Sequence, residues 1–383
     1  QNISNSDVKS VNKILKSKIL ARGPQIQLFE KKICSIVKSK FGLAVNSATS
    51  GLHLACLSLG LKKNDLVWTV PNSFVASANC ARYCGAKVDF VDINPENFNI
   101  DVKLLEKKLK YAKKIKKLPK ILITVHFAGL PTEQDKISKL SKKFKFFIIE
   151  DASHSLGASY KKEPVGSCKW SDIVVFSFHP VKTITTGEGG MVMTNNKNIY
   201  SKLVNLRNHG IEKNINKLKR KIKSKWYYEQ QDLGFNYWMS DIQAALGISQ
   251  LTKLKKFVKK RNEIAKFYKK NFRNFSVKVQ KIGNEQISSY HLFVISIDLK
   301  KIKNTYDRIF KKLVKNGLSI NLHYLPIHLH PYYKNLGFKK GQFPVAEKYS
   351  ETSLSIPIFY DLTVKERIKE IKIIKKVLKI LLI

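Results

Sequence analysis

Seven short apolar runs punctuate the first half of the chain: Leu43–Asn46, Leu66–Val70, Lys87–Val91, Ile121–Phe127, Phe146–Ile149, Ile173–Phe178 and Met191–Thr194. They are rich in Val, Ile and Phe, and stretches of helical periodicity separate them. That alternation predicts an α/β domain built on a mainly parallel, seven-stranded sheet flanked by helices. Two helices precede it. Residues 7 to 20 read as an amphipathic helix capped by Ser6. Asp7 sits in the first turn, and Val8, Val11, Ile14 and Leu15 share a face. After the turn Arg22-Gly23-Pro24, a second helix runs from about 25 to 40.

Beyond the sheet the pattern changes. Residues 212–225 are charged without clear amphipathicity and read as an exposed excursion. Residues 240–270 read as one long helix. From about 275, strands and helices of a smaller α+β unit follow. The chain therefore divides into a large domain over residues 1–250 and a small one over 251–383. The last stretch repeats Val364, Ile368, Ile371, Ile374, Leu378 and Leu381 at helical spacing, which predicts a packed C-terminal helix. No run reaches the roughly 18 uncharged apolar residues of a membrane span, and no secretory leader is visible, so a cytoplasmic location is expected. The five cysteines have no CxxC spacing, which suits a reducing compartment and offers neither a zinc site nor a disulfide frame.

Charge alters this picture less than its size suggests. The formal net charge is +43, but only eight of the 71 basic residues are arginine. Arginine is the residue that reads phosphates and base edges bidentately. The lysines are spread along the chain, so a nucleic-acid partner is not expected, and most of them read as solvated decoration.

Candidate chemistry lies where apolar runs end, the edge at which open α/β sheets bind ligands. One run delivers Asp151 in Glu150-Asp151-Ala152-Ser153-His154. Alone, this acid reads equally as a helix cap. Another ends at Ser177, and Lys182 follows just before the Gly-rich turn Thr183–Gly190. Desolvation there would lower the amine's pKa and make it nucleophilic; alone it reads as a surface lysine. The third segment, Asn46-Ser47-Ala48-Thr49-Ser50-Gly51, supplies hydroxyls and free N–H groups at a helix start. These are the parts of a phosphate cup, or simply of a well-capped helix. Together the three fit one cofactor. Pyridoxal 5′-phosphate (PLP) needs a lysine for its Schiff base, an acid for its pyridinium nitrogen and a cup for its phosphate. Ser177 would lie close to that phosphate. Phe74 is a candidate to stack on the ring, with a core aromatic as the other reading.

These segments resemble the DegT/StrS-type sugar aminotransferases, fold type I PLP enzymes. The likeness runs over nearly the whole chain. It includes Gly85–Asn94, His126–Gly129, Arg207–Gly210, Asp232–Tyr237, Asp241–Gly247 and His323–His328. The resemblance implies that Lys182 is the catalytic Schiff-base lysine and proton shuttle, with Asp151 pairing to the ring nitrogen. Thr49, Ser50 and Ser177 would hold the phosphate, Phe74 would cover the ring, and His154 would lie beside its 3-hydroxyl. Asn236 would reach the cofactor of a second subunit, so a homodimer is expected. Glu188, His323 and Tyr324 are candidate substrate contacts. The implied reaction moves an amino group from L-glutamate, released as 2-oxoglutarate, to C4 of a UDP-linked 4-keto-6-deoxy-N-acetylhexosamine. Perosamine-type, bacillosamine-type or 3-keto sugar nucleotides are the alternatives. One departure stands out: Trp238 occupies a place where many members carry Arg.

Overall fold

The computed structural model describes residues 2–220, 222, 224, 226–273, 275, 277–299 and 305–380. All seven apolar runs become strands of one sheet: β1 (Phe41–Val45), β2 (Leu66–Thr69), β3 (Lys87–Phe90), β4 (Ile121–Val125), β5 (Phe147–Asp151), β6 (Ile173–Ser177) and β7 (Gly190–Thr194). Their order is β1-β7-β6-β5-β4-β2-β3. Strands β3, β2, β4, β5 and β6 are mutually parallel. β7 runs against both β6 and β1. Parallel neighbours need crossovers, supplied here by α4 (Ala76–Tyr83), α5 (Val102–Lys114) and α6 (Gln134–Phe144) among others. An antiparallel pair does not. The β6–β7 connection, residues 178–189, is therefore free to fold over the carboxyl edge of the sheet, and it carries Lys182.

The N-terminal helix differs from its expected form. Helix α1 spans Asn5–Leu15, and Ser4 rather than Ser6 precedes it as cap. Of the four apolar residues, Ile14 is buried, whereas Val8 and Leu15 are exposed. Asp7, expected as a surface partner of the helix dipole, is fully buried. Its carboxylate accepts hydrogen bonds from the Ser4 backbone N–H, Gln250 and Lys253. Burial pushes the Asp7 carboxyl up, but Lys253, Ser249 and Ser4 outweigh it and hold the pKa at about 2. A second difference lies between residues 240 and 270. The expected long helix is two, α8 (Asp241–Leu251) and α9 (Leu254–Phe272), and Lys253, between them, pairs with Asp7.

Helix α2 (Pro24–Val37) starts with proline at its first turn, where no N–H is needed. Part of the charged excursion pairs as Ile211–Glu212 with Glu229–Gln230. The C-terminal half of α9 belongs to a separate apolar core. There Ile264, Tyr268 and Phe272 pack with the antiparallel strands β8 (Val277–Val279), β9 (Phe293–Ile297) and β10 (Ser353–Ile356). Leu254 and Phe257 on the first half pack instead with the large sheet's cluster around Phe29 and Phe178. The final helix, Val364–Ile380, buries Ile371, Ile374 and Leu378 in the small core. Val364 and Ile368 face solvent, and Leu381 lies outside the described residues. Among the described residues, no helix is long and apolar enough to cross a membrane.

Because the Asp7 carboxyl titrates lower in the folded chain than its ordinary 3.8, its contribution is present above that pH and is lost as pH falls toward 2. Urea unfolding of Asp7→Asn at neutral pH should show a loss of about 2 kcal/mol. The difference from wild type should shrink between about pH 4 and 2. An unchanged midpoint at neutral pH would refute this account.

Candidate active site

The carboxyl ends of β1, β5 and β6 meet on one side of the sheet. At the end of β5, Asp151 is 6% exposed. One oxygen accepts from Ser77 Oγ at 2.6 Å, and the other from Ser153 Oγ at 2.6 Å and Ser153 N at 3.2 Å. Ser77 is itself fixed by Ser73 at 2.8 Å. A buried carboxyl group with this many donors is held in one orientation. It keeps lone pairs for one more partner, since a carboxylate offers about four acceptor positions.

At the end of β1 the chain turns into α3 (Ala48–Ser58) through a polar corner. Ser47 Oγ caps the helix by accepting from Ser50 N at 3.1 Å. Ser50 Oγ donates to Asn46 Oδ1 at 2.6 Å. Ala48 and Thr49 open the helix, so their N–H groups have no acceptor within it. The corner lies directly against β7. A Cβ at Gly190 would sit 2.7 Å from both Ala48 N and Ser47 C, so only glycine allows this approach.

The β6–β7 connection brings the lysine in. Its base is pinched shut where Thr186 N and Thr185 Oγ1 both donate to Phe178 O at 3.0 Å. Lys182 N closes a turn on His179 O at 2.9 Å. Burial lowers the Lys182 pKa to about 8, and the attraction of Asp151 only partly restores it. Around the lysine stand groups that do not ionise readily. Burial, reinforced by Lys182 and His323, keeps His154 well below the usual histidine range. His323 falls to about 4 through burial and Lys182. Burial and Asp151 push the Tyr324 phenol up. Lys182 and Asp151 thus face one cavity together with the Glu188 carboxylate, among histidines and a tyrosine that resist ionisation.

Ten of the eleven residues singled out from the sequence line a single cavity of about 750 Å³: Thr49, Ser50, Phe74, Asp151, His154, Ser177, Lys182, Glu188, His323 and Tyr324. Phe74 is 58% exposed, so it is a wall of the cavity and not a core aromatic. The eleventh, Asn236, is exposed and outside this cavity, bridged through its backbone to Asn208. Sequence reasoning missed Ser77, Ser153, His179 and Gln243, which also belong here. Ser77 lies three residues after Phe74, one turn along the same segment. Nothing local marks Gln243, which reaches the site because α8 packs beneath the Glu188 carbonyl, 2.7 Å away.

Trp238 is placed by cations. Arg207 stacks on its ring at 3.7 Å and Arg22 approaches from 5.3 Å, while its N–H donates to Asn208 Oδ1 at 3.1 Å. Arg207 is buried and paired with Glu30 at 3.0 Å, whereas Arg22 is exposed.

The residues present fit PLP. They provide an amine of depressed pKa, a buried acid with acceptor capacity left over, and a helix start with free N–H groups against a glycine. An exposed phenyl completes one wall. The comparisons with known proteins agree. A model of the DegT/DnrJ/EryC1/StrS aminotransferase family matches residues 1–375. A UDP-4-amino-4,6-dideoxy-N-acetyl-beta-L-altrosamine transaminase of Campylobacter jejuni is 40% identical over 369 residues, 96% of this chain and 93% of that protein. The structure superposes on Helicobacter pylori PseC, an aminotransferase of pseudoaminic acid biosynthesis, with a TM-score of 0.88 and 31% identity, covering 99% and 97% of the two chains. A putative sugar aminotransferase of Streptococcus pneumoniae, solved in its PMP form, gives a TM-score of 0.89 at 26% identity, covering 100% and 98%.

The Gly190 contact gives a direct check. Gly190→Ala must push β7 and the polar corner apart, so PLP should bind roughly tenfold or more weakly. Fluorescence titration of the cofactor-free protein measures this. Unaltered affinity would show that the corner does not hold the phosphate.

Proposed function

Since the chain belongs to the DegT/DnrJ/EryC1/StrS aminotransferase family and is a PLP-dependent sugar aminotransferase, we propose that it aminates C4 of a UDP-linked 4-keto-6-deoxy-N-acetylhexosamine at the expense of L-glutamate. The product would be UDP-4-amino-4,6-dideoxy-N-acetyl-β-L-altrosamine, a precursor of pseudaminic acid. The observation that carries this reading is Lys182, desolvated opposite Asp151 in one cavity. Support for the sugar comes from the C. jejuni transaminase, similar over nearly its whole length.

When bound, PLP supplies an electron sink that stabilises charge at the carbon bearing the amino group. The chain's own residues do the rest. Asp151, locked by Ser77 and Ser153, keeps a proton on the ring nitrogen and so sets the strength of the sink. Lys182 holds the cofactor between turnovers. As a free amine it takes a proton from Cα of glutamate and later delivers one to C4 of the sugar. A pKa near neutrality suits both directions of that transfer. Thr49, Ser50 and Ser177 anchor the phosphate, and Phe74 covers a ring face. Glu188, His323 and Tyr324 stand on the wall left for substrate.

The reading includes a homodimer in which Asn236 serves the neighbouring subunit's cofactor. Its support is the exposure of Asn236 outside its own cavity and the 80% exposure of Leu233 nearby, with Val8 and Leu15 bare on α1. Arg22, held on Trp238, is a basic group on the same side of the chain that can replace the arginine many relatives carry at position 238.

The decisive measurement is product identification by NMR after incubation with glutamate and the 4-keto sugar nucleotide. Amination at C3, or of another sugar in preference, would overturn the substrate assignment. Borohydride should trap PLP on Lys182, and Lys182→Ala should abolish turnover. A variant that still transaminates at the wild-type rate would remove the lysine from the mechanism. The lowered pKa adds a signed pH dependence. The free amine is about half of the total at pH 8 and approaches its full value about one unit above. The rate of PLP capture by cofactor-free protein should climb through that pH and level about one unit above it. A rate still climbing steeply near pH 10 would mean that Lys182 titrates like a surface lysine.

A further inference from the structure

Three of the five cysteines, none of them lining the cavity, meet where α3 and α4 pack together. Cys56 comes from α3, Cys80 from α4, and Cys84 caps the end of α4. Cys56 Sγ lies 3.8 Å from Cys80 Sγ and also hydrogen-bonds Cys84. Cys84 Sγ is 3.4 Å from the Cys80 carbonyl oxygen. His53, three residues before Cys56 on α3, hydrogen-bonds Cys84 as well, and its Nδ1 is 3.2 Å from the Tyr237 hydroxyl. Among the described residues, no group of three or more histidine, cysteine or acidic side chains has the geometry of a metal site.

The three thiols are placed unequally. Cys56 and Cys80 are fully buried. Cys84 is half-buried beside the exposed Tyr83, so it is the one of the three open to a small solute. The hydrogen bond from Cys56 draws the Cys84 thiol down to about 6 against its burial, and His53 adds to the effect. About nine-tenths of it is then thiolate at neutral pH. Hydrogen bonds to Cys80 and Cys84, with burial, keep Cys56 protonated. The other two cysteines are shifted the opposite way from Cys84. Burial and Glu30 push Cys34 up to about 11, and burial raises Cys168.

We propose that Cys84 is a site of reversible oxidation by a hydroperoxide, with Cys56 as the thiol that closes a disulfide onto it. In the first step the Cys84 sulfur attacks the outer peroxide oxygen. An S–O bond forms and the O–O bond breaks. The departing alkoxide or hydroxide takes the electron pair and is protonated by water. The peroxide gains two electrons and the sulfur loses two, becoming a sulfenic acid. In the second step the Cys56 sulfur attacks the Cys84 sulfur. An S–S bond forms, the S–O bond breaks, and the Cys56 proton leaves with the hydroxyl as water. The contacts set this order. An anionic Cys84 holds the Cys56 proton, whereas a neutral sulfenic acid no longer does, which frees Cys56 to attack. The closed bond ties α3, which carries Thr49 and Ser50, to α4, which carries Ser77. Transient disulfides of this kind occur in reducing compartments, where permanent ones do not persist.

The test is treatment of the reduced holoprotein with one equivalent of hydrogen peroxide at pH 7, then denaturation, alkylation with iodoacetamide and peptide mass spectrometry. The Cys56 and Cys84 peptides should be linked within one chain and released by dithiothreitol, with Cys34 and Cys168 left as alkylated thiols. In Cys56→Ala the link should be lost, and dimedone should capture Cys84 as the sulfenic acid. A second measurement needs no variant. In the folded wild type, alkylation of Cys84 should follow a midpoint at about pH 6 and at pH 7 should outpace Cys34 by roughly tenfold or more. A Cys34 that reacts as fast as Cys84 overturns the proposal. So does a Cys84 oxidised beyond the sulfenic acid with no link to Cys56, or one linked only between chains. Zinc on the purified protein, with Cys84 reactive only after chelation, would make the cluster a metal site and overturn it equally.

Discussion

The site depends on satisfying one carboxyl group buried at the end of a central strand. Asp151 ends a strand that is buried on both faces, where an unpaired charge would carry a penalty of several kcal/mol. Ser77 and Ser153 meet that penalty with short hydrogen bonds, and Ser73 fixes Ser77 in turn. Each of these serines is supplied by a different constraint. Ser153 follows the strand directly, while Ser77 arrives on α4 only because β2 lies two places from β5 in the sheet. The anion then governs the rest of the pocket. It draws Lys182 inward, yet too weakly to cancel the desolvation that depresses the amine. It also helps keep Tyr324 in its neutral, donating form.

Much of this was legible in the sequence because it is local. The seven apolar runs became the seven strands, since runs of β-branched and aromatic residues bounded by polar turns have few other ways to bury themselves. Asp151, Ser177 and the Asn46–Gly51 corner were readable for the same reason: each directly follows a run. What escaped depends on distant partners. Asp7 looked like a surface acid because its donors, Gln250 and Lys253, are more than 240 residues away. Periodicity over 240–270 likewise does not reveal the break between α8 and α9. Gln243 reaches the site by helix packing that no local pattern encodes. Val8 and Leu15 have apolar character without the burial that periodicity assigns them.

The lysine excess takes on a definite meaning once the structure is known. Most lysines are exposed, on helices and loops alike, where opposite charges contribute little and are screened. The few that matter are buried or paired with a buried acid: Lys182 in the cavity, and Lys253 on Asp7. Arginine is scarcer and is used differently. Arg207 and Arg261 are buried, the first paired with Glu30 and the second donating to three backbone carbonyls. These are roles for a rigid fork of donors that an ammonium fills poorly.

Trp238 joins these themes. An indole in place of arginine removes a cation, but the ring binds two others, and the two are unequal. Arg207 is neutralised by Glu30 and capped by the Ala44 carbonyl, so it serves to hold the ring. Arg22 is exposed at the turn between α1 and α2, with the indole face as its contact there. The indole thus carries one guanidinium locked in a buried ion pair and one exposed at the tip of a turn.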